Sequence, residues 1–197
     1  MCLPVGGSWK HATVTTVSIT RHSRHRQTSP VAATRFIPPK VKRGHRIEFT
    51  RNALALAVAR TSTLLNAPRW MLDDIACTEA LRLRWLLNSA PLFELSNKIS
   101  CLADQERTAF TGRLGAGMAD LTMNALGYIW RDNAASLPGS SAPRPDFVYG
   151  GGSAAGHGVV VVEAHGSFAA AVTAKMISRE AKRKYLRQVK PYVAVNS

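Results

Sequence analysis

Two carboxylates stand out by where they fall. Asp146 follows Pro145 and opens the run Asp146-Phe147-Val148-Tyr149, and Glu163 closes Val159-Val160-Val161-Val162. The glycine-rich stretch 150–158 between them predicts a hairpin, and in an antiparallel pair the start of one strand lies beside the end of its partner. Asp146 and Glu163 are therefore expected at one edge of a sheet, on ground that the valines make apolar. Two carboxylates crowded there repel and lose hydration, so a cation is their natural companion. Mg²⁺ (or Mn²⁺) suits one or two carboxylates, retained waters and phosphate oxygens, an arrangement that cleaves phosphodiesters. Taken singly each residue has a plainer role: Pro145-Asp146 starts a turn, Glu163 faces solvent, and His165 is a loop histidine like His157. The pairing across one hairpin favours the chemical reading.

Pro145-Asp146, a spacer, then Glu163-Ala164-His165 resembles the PD-(D/E)xK nuclease-like (restriction-endonuclease-like) superfamily. The setting is similar too: a helix before the strands, a hydrophobic strand leading into the Glu, then Gly166-Ser167 and a basic helix. The likeness spans about Gln105 to Val195 and leaves residues 1–100 outside. It implies an α/β fold with a mixed central sheet flanked by helices. It also implies a metal held by Asp146, Glu163 and the Ala164 carbonyl, with Glu106 on the first core helix joining the site. The implied activity is endonucleolytic hydrolysis of DNA. The pattern has Lys where this chain has His165; that Lys orients the attacking water and stabilises phosphate charge. Histidine, with an unperturbed pKa near 6.5, is mostly neutral at pH 7. It can take a proton from water or donate a hydrogen bond, but supplies no permanent cation. Two rival readings stand beside the nuclease: a non-catalytic nucleic-acid-binding protein that keeps the fold, and an adaptor whose helical part, residues 52–126, binds a protein. Gln188 and Tyr192 are four apart, like a Gln-x-x-x-Tyr element of some such nucleases, but Pro191 between them makes this a chance match.

The elements that must position these residues are legible in part. Ala53 to about Asn66 reads as a helix, Pro68 suits the first turn of the next, and Trp70–Asn88 carries an approximate apolar stripe. Pro91 is expected to start a short third helix, and Asp104 to cap a fourth from about Gln105 to Leu126. Gly112, Gly115 and Gly117 inside that helix each cost about 1 kcal/mol against Ala. Close packing on a neighbouring element is the expected compensation, since Gly-x-x-Gly-x-Gly matches no nucleotide-binding fingerprint. From Gly127 the period changes: strands are expected at 128–130, 146–149 and 159–163, a helix from Phe168 to about Leu186, and a last strand at Tyr192–Val195.

Charge divides the chain. Of 197 residues 26 are Lys or Arg and 12 Asp or Glu, a formal net charge of +14. Residues 1–51 hold ten of the basic residues against Glu48 alone, and the middle of the chain is balanced. Residues 1–51 are therefore expected to be a basic tail, 52–100 a helical region and 101–197 the α/β core. The tail is read as a solvated extension, with phosphate neutralisation and a transit-peptide role as alternatives. Lys182, Arg183, Lys184, Arg187 and Lys190 are expected to draw nucleic acid towards the carboxylates. Three scattered cysteines (Cys2, Cys77, Cys101) fit neither a disulfide framework nor a zinc site, and Cys77 and Cys101 are read as small core residues in a reducing, cytoplasmic setting. No apolar run reaches the ~20 residues of a membrane-spanning helix, and no Gly-x-Ser-x-Gly elbow is present.

Overall fold

The computed structural model describes residues 14–22, 41–89, 92–136, 143–151, 159–168 and 173–189. Strands β1 (Val14–His22) and β2 (Val41–Thr50) pair antiparallel, Val17 opposite Ile47 and Thr15 opposite Phe49. Ile47 and Phe49 are buried while Glu48 between them is exposed, the alternation of a strand with one face on a core. The tail expected over residues 1–51 is thus corrected where it meets the fold. Two apolar positions make too short a period to notice, yet both are seated in the core.

Thr50 ends β2 and caps α1 (Arg51–Thr61), its hydroxyl accepting from Ala53 N–H at 3.1 Å. The small buried residues Ala55, Ala57 and Ala59, with Leu54 and Val58, let α1 pack against both α2 (Arg69–Leu86) and α3 (Asp104–Ala125). Between α2 and α3 the helix expected at Pro91 is absent from the described residues that follow it. The chain is extended there, with Leu87 bridging Leu95, and only then makes a 3₁₀ turn, Asn97–Cys101, capped by Ser96. Helix α3 begins one residue earlier than expected: Ala103 takes the cap position, and Asp104 is the first helical residue and pairs with Arg107. Gly127, at φ +84°, ends the helix in the left-handed conformation that glycine adopts without strain.

Strands β3 (Tyr128–Asn133), β4 (Phe147–Gly151) and β5 (Val159–Val162) form an antiparallel sheet in the order β3-β4-β5. Helix α4 (Ala174–Lys184) follows and runs into a π turn, Tyr185–Val189. The fold is a mixed α/β arrangement of four helices and this sheet, with the β1–β2 ribbon beside the helices. The expected last strand at 192–195 and Lys190 lie outside the described residues.

Two hydrophobic clusters meet along α3. Ile47, Phe49, Leu54, Val58, Leu83, Phe110 and Leu114 form one; Met123, Tyr128, Trp130, Phe147 and Tyr149 form the other, between α3 and the sheet. Residues on either side of position 100 therefore share one core. A buried polar link crosses it: Asp120 of α3, fully covered, accepts from Arg60 of α1 and from the Tyr149 hydroxyl of β4 at 2.9 Å. Cys77 is half-buried and Cys101 exposed, so Cys101 is not the core residue its type suggested. No helix among the described residues is long and apolar enough to cross a membrane.

Candidate active site

The β4–β5 ladder pairs Phe147 with Val162. Just past this last pair the ladder gives way, and the Asp146 N–H donates to Val162 O at 3.0 Å, which sets Asp146 beside the end of β5. Asp146 Oδ2 accepts from the Ala164 N–H at 2.8 Å, which ties the carboxylate to the chain just beyond Glu163. Glu163 is almost covered, its side chain 6% exposed, and its Oε1 accepts from Lys184 Nζ at 2.6 Å. Burial pushes the Glu163 pKa above the usual carboxylate range. The Lys184 ammonium pulls it back and the neighbouring Asp146 pushes it up again. Glu163 Oε2 is buried without a hydrogen-bond partner among the described residues.

Helix α4 supplies Lys184 at its last residue. The helix starts at Thr173, whose hydroxyl accepts from Met176 N–H at 3.2 Å, and closes with Lys182, Arg183 and Lys184, the sign its carbonyl end favours. Between α4 and β5 lies an open cleft of about 900 Å³. Val161, Val162, Met176, Ile177 and Tyr185 make its walls apolar, and Glu163, His165, Arg179, Arg183 and Lys184 supply its charge and polarity. His165 is exposed, close enough to Glu180 to help hold that carboxyl below its usual range, though the Arg183 bond to Glu180 does most of this.

The loop that carries His165 is seated on α3. A Cβ on Gly166 would lie 1.8 Å from Thr111 O, and one on Gly115 would lie 2.6 Å from Gly166 N. Only two glycines allow this approach, which sets the height of residues 163–166 over the helix. Further along the same loop, the Arg107 guanidinium lies 5.8 Å from the Phe168 ring. Gly117 likewise lets α1 in, a Cβ there meeting Val58 Cγ2 at 2.5 Å, whereas one on Gly112 would meet nothing. Two of the three helix glycines are therefore explained by close packing.

The structure brings Glu163, His165, Arg183 and Lys184 around one cleft and sets Asp146 next to Glu163, outside the residues that line it. It does not bring Glu106 there. Glu106 pairs with Arg82 and Arg113 at 3.3 Å each, in an ionic cluster with buried Glu79 between α2 and α3. Arg82 reaches it from α2 and Arg113 from two turns further along α3. Of the basic cluster, Arg183 is bonded to Glu180 and Lys184 to Glu163, so neither is a free phosphate contact as it stands; Lys182 and Arg187 are exposed. Sequence reasoning assigned Lys184 to nucleic acid and missed its tie to Glu163. A lysine one helix away in sequence gives no signal until α4 is placed. No group of three or more His, Cys, Asp or Glu side chains arranged to hold a metal occurs among the described residues. Compared with models of protein families, with curated proteins and with solved structures, the chain matches none.

Proposed function

We propose that the chain is a metal-dependent phosphodiester hydrolase acting on DNA, with a core like that of the PD-(D/E)xK nucleases. The observation that carries the reading is Asp146 held by the Ala164 N–H next to Glu163, with Lys184 on Glu163 and His165 in the cleft that Glu163 lines. The donor set fits a hard divalent ion such as Mg²⁺ or Mn²⁺: two neighbouring carboxylates, an adjacent backbone carbonyl at Ala164, and a buried Glu163 oxygen without a hydrogen bond among the described residues. Asp146, Glu163 and the Ala164 carbonyl would hold it. When bound, the ion would polarise the phosphate and lower the pKa of a coordinated water.

This chain's own residues do the rest. Lys184 orients Glu163 and supplies the permanent positive charge that His165 does not. His165, exposed in the cleft, takes the proton of the attacking water. Arg179, Lys182 and Arg187 hold the phosphates that flank the scissile one. A second reading, a nucleic-acid-binding protein without turnover, is favoured by Lys184 already occupying Glu163 Oε1.

Relaxation of supercoiled plasmid with Mg²⁺ or Mn²⁺ separates the two. Nicking by the unmodified protein, reduced at least about a hundredfold in Asp146→Asn and reduced in His165→Ala, is the expected result. Metal-dependent nicking that Asp146→Asn leaves intact would refute the site. DNA binding without nicking, at any metal tried, would leave the second reading.

A further inference from the structure

The β1–β2 ribbon carries a strongly basic pattern at its register positions. Its register places Arg21 directly opposite Lys42, Thr20 opposite Arg43 and Ser18 opposite Arg46. Like charges facing each other across a ladder destabilise it. No Asp or Glu occurs before Glu48, which stands at the base of the ribbon opposite Thr16. The register steps across an irregularity between Ser18 and Thr20. The pairs Ser18–Arg46 and Thr20–Arg43 share one face of the ribbon, and Arg21–Lys42 occupies the other, so cationic positions fall on both.

The base of this ribbon is fixed. Ile47 and Phe49 are buried in the helical core, Phe49 lies 6.2 Å from the Phe93 ring, and Thr50 caps α1. From Ile47 back to Val41, a rise of ~3.3 Å per residue gives about 20 Å of strand beyond the last core residue.

We infer that the β1–β2 ribbon is a nucleic-acid-binding arm, separate from the Asp146–Glu163 cleft, whose partner is the phosphate backbone of a DNA duplex. A polyanion offsets the like charge of the Arg21–Lys42 register pair, and release of its condensed counterions favours binding. Ser18 and Thr20 hold register positions opposite arginines, and arginine and hydroxyl groups are among those that most often contact phosphate. A two-stranded ribbon also has the width that the major groove admits. An anionic lipid surface is the poorer partner, because positions 14–22 and 41–46 contain no Trp, Phe or Leu to enter it.

The test is fluorescence anisotropy of a short labelled duplex with the full chain, in EDTA, over a series of salt concentrations. Replacing Arg21, Lys42, Arg43 and Arg46 together by Thr keeps strand propensity. It should flatten the slope of log K against log salt by about 2–4, and weaken binding at roughly 0.1 M salt by at least tenfold. The single variant Arg21→Glu guards against misfolding. It turns the repulsive pair into an attractive one, so its melting temperature should rise by about 1–3 °C while its duplex affinity falls. Unchanged duplex binding by a folded fourfold variant would overturn the inference. So would a fourfold variant that loses binding to phosphatidylserine vesicles and keeps its affinity for duplex. Duplex binding is read in EDTA, without the metal that nicking requires, so loss of nicking and loss of ribbon binding are separate failures.

Discussion

Replacing Lys184 by Met tests the electrostatics of the cleft with little change in packing, because the stem is kept and only the ammonium goes. Glu163 is 6% exposed and Lys184 24%, with 2.6 Å between Oε1 and Nζ. Charge centres near 4 Å apart attract by about 4 kcal/mol at an effective dielectric constant near 20. Stranding one partner of a fully buried pair costs about 3–5 kcal/mol. Water reaching Lys184 lowers that range, so the expected loss at pH 7.5 is about 2–3 kcal/mol. For a chain of this length that is a fall of roughly 5–10 °C in melting temperature.

The loss must depend on pH, and its sign follows from protonation. The folded-state pKa of Glu163 already lies above the usual 4.5, and removing Lys184 raises it further. A carboxyl with a raised folded pKa binds a proton that the unfolded chain has released. Stability is then full below the unfolded value and is lost as pH rises through the folded one. Protonating Glu163 costs at most about 1.4 kcal/mol per pH unit above 4.5, so the charge penalty has a ceiling near 4 kcal/mol at pH 7.5 and about 0.7 at pH 5. Urea melts of Lys184→Met should therefore show 2–3 kcal/mol lost at pH 7.5 and about 1 or less at pH 5. Adding Glu163→Gln should recover most of the loss at pH 7.5. A penalty of equal size at both pH values would mean that Lys184 acts through packing, and the reading of the pair would be wrong.

Gly112→Ala should stabilise the chain by up to about 1 kcal/mol, because its Cβ meets nothing, whereas Gly115→Ala should cost about 1–3 kcal/mol by striking the Gly166 backbone; thermal melts decide both. If Gly115→Ala melts like the parent, the loop does not sit where the structure has it. Tyr149→Phe leaves a buried Asp120 oxygen without its donor and should cost about 1–3 kcal/mol in urea melts at pH 7. The Tyr149 hydroxyl is held well above its usual 10.0 by burial and by Asp120. The folded chain keeps a proton that the unfolded chain loses above about pH 10, so stability falls with rising pH there. That part of the alkaline slope should vanish in Tyr149→Phe; an unchanged slope would exclude Tyr149 as its source.

What the sequence made legible follows from how local each signal is. The Val159–Val162 run and the glycines before it announce a hairpin strand, and Asp146 at the start of β4 comes next to the end of β5 because the two strands pair antiparallel. Helices α1, α2 and α3 were readable from runs long enough to show a period. Ribbon strand β2 was not, because Ile47 and Phe49 form a period of only two among arginines and lysines. Asp120 had a signal that could have been used: it lies at the inward spacing Leu114, Gly117, Asp120, Met123. An acid on that stripe must find a donor, although Arg60 and Tyr149 as its partners are properties of the tertiary fold. Glu106 was placed by analogy, and an analogy says nothing about Arg82 and Arg113 beside it.

The cleft wall carries the Glu163 carboxylate and the Lys184 ammonium, with Asp146 next to Glu163, and the end of α4 is strongly basic. Charge alone therefore does not decide between a cation site and a salt-bridged structural corner. Position does add weight. A structural corner needs no opening, yet this one faces about 900 Å³ of accessible space. A structural corner also gains nothing from Gly115 and Gly166, whose close contact holds the 163–166 loop down on α3 where a one-methyl change would lift it. Glycine at both positions carries an intrinsic entropic cost relative to alanine, which the close contact must offset. The gain is a fixed height for the Glu163 carboxylate and the Ala164 carbonyl relative to Asp146. Such precision matters for holding an ion or a scissile phosphate, where a displacement of about 1 Å can cost a hundredfold in rate, and matters far less for a surface salt bridge.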